Sequence, residues 1–333
     1  MSQRTSRANH PPERAATTRS RPAKRRPPSA VTPQGAVHIW HEGIVFVGTG
    51  IRNAPHRHFT ASLIFGIDGP FAFRSGRSPW RTSRAIVTAP NAVQQMDTRG
   101  HRVAIMQVDP ETAAYARLAP HFVEQGTFVE PKPAVAAVLC STLRRMVAES
   151  RFNAPRFWSC ALEAIGGDCP PHVRDARVTR VLDIIKREFP GAPPVATLAR
   201  AVRVSPSRLI HLWKDEVGVS LRRYVLWLRL RHVVACVAMG HSLTAAAYEA
   251  GFADSAHLSR TFRSMFGLPL SSLFGTSNVE LFFTFPEQEL SGPHAPYDRE
   301  RWATAARVLG NGASSSSATR RSANAAIIDV ERD

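Results

Sequence analysis

Residues 176–275 carry one local pattern twice, about fifty residues apart. Each copy has a short apolar stretch, a turn, a capping residue and a second stretch with apolar residues at helical spacing. The first copy reads Leu198-Ala199, Val204-Ser205, then Leu209, Leu212 and Trp213. The second reads Ala246-Ala247, Gly251-Phe252, then Leu258, Phe262 and Phe266. Positions three and four apart share one side of a helix, so each copy is an amphipathic helix pair around a tight turn. Such a unit offers one helix to a DNA groove, and two in tandem offer a pair from a single polypeptide.

Local chemistry sets the boundaries. In the first unit, Val195–Val202 supports a helix with Leu198, Ala199 and Val202 inward, and Arg203-Val204 makes the turn. Ser205 is an N-cap, and Pro206 falls at the first helical position, where a missing N–H costs nothing. The next helix runs to about Glu216, and Gly218 stops it. Its outer positions are Ser207, Arg208, Ile210, His211 and Lys214. In the second unit Ser242 caps a helix through Glu249, Gly251 takes the left-handed turn, and Asp254 or Ser255 caps the second reading helix. Ser255, Ala256, His257, Ser259, Arg260 and Arg263 stay outside its apolar stripe. Between the units, Ser220 caps a helix to about Met239, with Arg222, Arg223, Arg229 and Arg231 expected on the outside. Twenty residues of helix span roughly 30 Å, and one turn of B-DNA is about 34–36 Å.

This stretch resembles the AraC/XylS-type DNA-binding domain. The resemblance rests on Leu198-Ala199, Ser205 to Trp213, Gly218, Tyr224, Arg229-Leu230, Gly251 to Asp254, His257 to Arg263 and Phe266-Gly267, in order and spacing over about a hundred residues. It implies a seven-helix domain with two helix-turn-helix units joined by a central helix. It also implies base-edge positions at Ser207, Ile210 and His211 in the first unit and at Ser255, Ala256, His257 and Arg260 in the second. RNA polymerase is the protein partner that it implies. The chain departs from the family at His211, where an arginine is common, and at Gly267 to Phe274, where the closing proline is displaced and the aromatic and basic positions are lost.

Charge agrees with a polyanionic partner. The net charge is +17 over 333 residues, and residues 174–275 hold fifteen Lys/Arg against seven acids. Residues 1–33 hold eight against one, in an Arg-, Pro- and Ser-rich stretch with little to bury, expected to be a disordered basic tail. The four cysteines, Cys140, Cys160, Cys169 and Cys236, form no C-x-x-C pair, so no zinc knuckle is expected. No apolar run reaches membrane-spanning length and the N-terminus lacks an apolar signal core, which together suggest a cytoplasmic protein.

The N-terminal half changes character. His38–Trp40, Ile44–Val47, Ser62–Ile67, Phe71–Arg74, Ala85–Thr88 and Val103–Val108 read as short strands between turn signals. A β-domain over 34–110 is expected, followed by helices over 111–167. There Val135, Val138, Leu139, Leu143, Met146 and Val147 form a stripe that either completes the core or makes a dimer surface. A linker is expected at 168–175 and a mostly unstructured tail at 276–333. Gly50-x5-His56-x-His58 resembles the first metal-binding motif of cupins, which implies a cupin-like β-barrel sensor. The family's carboxylate falls on Ser62 or Leu63, and its second-strand histidine on Gln95. Two of four ligands are therefore absent, and no metal or other cofactor is expected. His56, His58 and Gln95 either line a small-molecule pocket or make ordinary strand hydrogen bonds.

The expected molecule is thus an α+β chain of two domains, a cupin-like β-barrel with flanking helices and an all-α double helix-turn-helix domain. It is not expected to be an enzyme. It is expected to bind double-stranded DNA, with response to a small-molecule effector and a homodimer left open. The alternative is a cupin-type metal-dependent enzyme with a helical appendage.

Overall fold

A computed structural model describes residues 32–40, 43–149, 152–166, 173–238, 240–274 and 279–283. Nearly all of the basic tail, linker residues 168–172, and the segment from 284 with its candidate helix Arg299–Leu309 lie outside the described residues. All described residues belong to one compact unit.

The first half is a two-sheet sandwich. Its strands are β1 (Gln34–Trp40), β2 (Gly43–Thr49), β3 (His56–Arg57), β4 (Ala61–Gly66), β5 (Phe71–Ser75), β6 (Arg81–Ser83), β7 (Ala85–Thr88), β8 (Val93–Asp97) and β9 (Val103–Val108). Helix α1 (Ala113–Gln125), strand β10 (Phe128–Val129), and helices α2 (Pro133–Ala148) and α3 (Ala154–Gly166) follow. The larger sheet runs β10-β7-β4-β9-β2-β1-β11, where β11 is Val279–Phe283, and the smaller runs β3-β8-β5-β6. The larger sheet ends in open edges at β10 and β11, so the β half is not the closed barrel that the sequence suggests.

Strand alternation explains the layers. Val45 and Val47, Leu63 and Phe65, Ala104 and Met106 point to one face, where Leu118, Leu139, Leu143, Phe157 and Trp158 of α1–α3 cover them. Phe46, Ile64, Ile86 and Ile105 point to the other, toward Phe71, Phe73 and Met96 of the smaller sheet. Strands β4 and β9 are buried on both faces, which is why they read as mostly apolar runs, interrupted only by Ser62 and Gln107. The α2 stripe is buried at Leu139, Cys140 and Leu143, so that face completes the core. Val138, placed in the stripe by spacing, is 63% exposed.

The second half has seven helices among the described residues. They are α4 (Ala176–Arg187), α5 (Val195–Ala201), α6 (Pro206–Val217), α7 (Leu221–Ala238), α8 (Leu243–Glu249), α9 (Ser255–Phe266) and α10 (Ser271–Phe274). Two apolar cores serve them. Val181, Ile185, Leu209, Trp213 and Tyr224 make a core private to the first helix-turn-helix unit. The second unit has no separate core: Phe252, Leu258, Phe262 and Met265 are continuous, through Trp227 and Leu230, with the sandwich interior. After α10 the chain returns as β11, parallel to β1, pairing Gly35 with Val279 and Ile39 with Phe283. Part of the segment expected as an unstructured tail is therefore a strand. It satisfies the backbone groups that β1 would otherwise leave open at a sheet edge.

Candidate nucleic-acid interface and its docking on the sandwich

The two turns close in the same way. Val204 N–H donates to Ala199 O at 3.0 Å, and Phe252 N–H donates to Ala247 O at 2.9 Å. Each bond is the six-to-one closure that ends a helix, and it needs a left-handed residue just before the donor. Gly251 supplies it at φ 76°, and Arg203 supplies it at φ 56°. Both second helices then start on a side-chain cap. Ser205 Oγ accepts from Arg208 N at 3.2 Å, and Asp254 Oδ1 accepts from His257 N at 2.5 Å.

Leu209, Leu212 and Trp213 turn one side of α6 inward, which leaves Ser207, Arg208, Ile210, His211 and Lys214 exposed. Ile210 is 48% exposed, an apolar group held in water. His211 is fixed by Nδ1, which donates to Ser207 O at 2.8 Å and leaves Nε2 facing outward. On α9, Leu258, Thr261, Phe262 and Met265 are buried, while Ser255, Ala256, Arg260 and Arg263 are exposed. His257 is half-buried, edge-on to Phe252 at 5.1 Å. Phe266, expected in the core stripe, is also half-buried and lies 5.5 Å from the His58 ring. Arg222 is exposed on α7.

The other arginines of α7 are not outward-facing as the sequence suggests. The Arg223 guanidinium bonds Asn91 Oδ1 and lies 5.6 Å from the Phe59 ring centroid, so it belongs to the sandwich contact rather than to a DNA surface. Arg229 Nη2 donates to Pro190 O at 3.2 Å. Arg231 is buried and pairs with Asp109, whose own side chain has no exposure. Trp227 Nε1 donates to the second Asp109 oxygen at 2.8 Å, and Arg231 Nη2 reaches Trp40 O at 3.4 Å. Burial pushes the Asp109 carboxyl up to about 6, against the pull of Arg231. Arg174 donates to Glu111 O and Pro110 O at 2.7 Å each, and Lys186 pairs with Glu111 at 2.8 Å. A short acidic corner after β9 thus receives cations from three places in the helical half.

The histidine pair lies at the second contact. His56 Nδ1 donates to Ala54 O at 2.9 Å, so its Nε2 is the acceptor and takes the proton of His58 Nε2, also at 2.9 Å. That leaves His58 Nδ1 to accept, with Ser62 Oγ at 2.5 Å and Gln94 Nε2 at 2.8 Å. These tautomers follow from the hydrogen-bond network. Both rings are neutral: burial holds His56 at about 4, and burial together with the nearby His56 holds His58 well below the usual histidine range. The residue completing the cluster is Gln94, not the expected Gln95. Gln95 accepts from Arg74 Nε at 2.8 Å and donates to Asn53 O at 3.0 Å. A one-residue difference along a strand selects the opposite face, and spacing from the Pro90 turn did not fix that register.

This cluster abuts α9. Ala54 N–H donates to Gly267 O at 2.9 Å, at the residue that ends the helix with φ 68°. A Cβ on Gly267 would stand 2.3 Å from Ala54 O and 2.8 Å from His56 Nδ1. Gly267→Ala is therefore expected to cost about 1–3 kcal/mol from the left-handed backbone alone, with the clash in addition. Thermal unfolding checks this, and an unchanged midpoint would show that β3 does not hold the end of α9.

Of the residues that matter at these contacts, Asn91, Gln94, Asp109 and Trp227 were not singled out from sequence. Each acquires its role from a partner at least 36 positions away. The one local sign was Asp109, an acid directly after a mostly apolar strand.

Two outward-facing helices on matched turns, joined by one long helix, define a tandem helix-turn-helix DNA-binding domain. Residues 198–275 match the family model described as a helix-turn-helix domain, and the chain carries this domain in its AraC/XylS form. Comparison with curated proteins gives no match. Among solved structures, an apo variant of ToxT from Vibrio cholerae superposes with a TM-score of 0.50 at 12% identity, covering 69% of this chain and 96% of that one. At that identity the likeness is one of fold. Unsaturated-fatty-acid-bound ToxT from the same organism gives 0.45 at 14% identity, covering 71% and 97% of the two chains. The AraC-like transcriptional activator CuxR gives 0.31 at 11%, covering 57% and 76%. No helix among the described residues is long and apolar enough to cross a membrane.

Proposed function

We propose that this chain is a cytoplasmic transcription regulator. It reads duplex DNA with α6 and α9 in successive major grooves and adjusts that reading to a small molecule sensed by the sandwich. The observation that carries the reading is the exposed polar and cationic face of each second helix, Arg208, His211 and Lys214 on α6 and Arg260 and Arg263 on α9. Helix α7 has eighteen residues, about 27 Å, against about 34–36 Å for one turn of duplex. Base-edge contact falls to Ser207, Ile210, His211, Ser255, Ala256, His257 and Arg260. Arg208, Lys214, Arg222 and Arg263 hold phosphates, and Arg223 drops out of the set. RNA polymerase is the partner through which a bound regulator acts.

Responsiveness is supported by the shared core. The second unit is built on the sandwich interior, so a ligand that alters that interior changes the footing of α9. The enzyme alternative has less support. A cupin metal needs the ring lone pairs of His56 and His58, and both of those accept hydrogen bonds within the cluster.

Selection of bound duplexes from random DNA, repeated with Arg260→Ala, tests the proposal. Loss of about 1–3 kcal/mol of discrimination at one base position is expected. Lys214→Ala should weaken all sequences alike and flatten the salt dependence. No preference for any selected duplex over random DNA at moderate salt would reject the reading.

A further inference from the structure

Away from both contacts, the side chains of His232, Cys236 and Glu249 bring one nitrogen, one sulfur and one carboxylate oxygen within 4.8 Å of one another. We propose that these three residues form a zinc site that ties α7 to α8 behind the second recognition helix. His232 and Cys236 are four apart on α7, so they share one side of that helix. Glu249 is the last residue of α8 and faces them across the turn. Its Oε2 lies 3.5 Å from Cys236 Sγ. With Zn–S near 2.3 Å and Zn–O near 2.0–2.2 Å, a tetrahedral edge between sulfur and oxygen is about 3.5 Å. That pair already has the spacing, and the imidazole nitrogen, within 4.8 Å of both, has little more than an ångström to close at most. His241 Nδ1 holds the other carboxylate oxygen at 3.0 Å, fixing the carboxylate from outside as supporting groups in metal sites do.

The donor set selects the ion. One thiolate, one imidazole and one carboxylate suit a borderline cation, and the thiolate disfavours magnesium or calcium. A thiolate and a carboxylate together cancel the two charges of Zn²⁺, so the ion adds no net charge to the core. Glu249 and His241 are each about one-third exposed, which leaves an entry path and room for a water as the fourth ligand.

The test uses the full-length chain. Titration with Zn²⁺ against a chromophoric chelator is expected to give a single tight site, and Co²⁺ in its place a thiolate-to-cobalt charge-transfer band. Glu249→Gln should weaken Zn²⁺ at least about ten-fold. Cys236→Ser should abolish the charge-transfer band, while Cys160→Ser, at an exposed cysteine, should leave both readouts unchanged. If the buried Cys236→Ser variant does not fold, the cobalt band of the parent chain and the Glu249→Gln titration decide. Absence of a tight site, a cobalt spectrum without the thiolate band, or zinc binding that survives Glu249→Gln each overturns the proposal.

Discussion

Replacing Asp109 by alanine is expected to destabilise the protein by about 3–5 kcal/mol, because it strands the buried Arg231 without its counter-charge. The loss has two parts. The Arg231 guanidinium keeps its desolvation penalty, and the Trp227 N–H loses its acceptor. Arg231→Met in the Asp109→Ala background should restore much of the stability, since a buried pair exchanged for apolar groups of similar volume is often neutral. Denaturant unfolding reads both changes. A second readout follows from location: the pair sits between α7 and the end of β9, so Asp109→Ala should also speed proteolysis between the sandwich and the helical half. Full stability in the single variant would mean that Arg231 reaches water when its partner is removed.

Acid is expected to unfold this protein early. His38 and His56 are each held by burial at about 4, and His58 well below the usual histidine range, against 6.5 for a free imidazole. A histidine with a lowered value in the folded state binds fewer protons there than in the unfolded chain. Its contribution is intact above 6.5 and is lost as the pH falls toward 4. At pH 5, His38 and His56 each cost about 2 kcal/mol, and His58 adds to the loss. Asp109 runs the other way: raised to about 6, it takes up a proton in the folded state first and offsets about 1 kcal/mol of that loss at pH 5. For His38, His56 and Asp109 the balance is a loss of about 3 kcal/mol between pH 7.5 and pH 5, with His58 in addition, a large part of a typical domain's 5–15 kcal/mol. Denaturant unfolding at the two pH values measures it. His38→Asn, in β1 and away from the junction with α9, should remove about 2 kcal/mol of that dependence. A midpoint insensitive to pH over this range would mean that the imidazoles are solvated.

The helical half was legible because its signals are local. Ser205, Ser242 and Asp254 cap from within three residues of their partners, and Leu209, Leu212 and Trp213 declare one face at helical spacing. The long strands β4 and β9 were legible for the same reason, since double-sided burial leaves a mostly apolar run broken only by Ser62 and Gln107. The smaller sheet was harder to see. Strands β3 and β6 have two and three residues, too short for an alternation to register. The junction was hidden altogether. The arginines of α7 look alike as sequence, yet Arg222 is exposed, Arg223 meets Asn91 and Arg231 enters the core. Only the position of the sandwich separates them, and no spacing within the helix encodes it. The same holds for Gln94 and Gln95, where a register one residue off exchanges the groups that face His58 and Arg74.

The parallel pairing of β11 with β1 gives the helical half two anchorages in place of a single leash. It enters from the sandwich near Arg174 and hands the chain back to the sheet at Val279. A module spliced into its host at both ends cannot swivel freely. It can only tilt about the line joining its attachments, or peel a strand away to escape. Under the proposed function, a signal raised in the sheet would have two covalent routes to the helices.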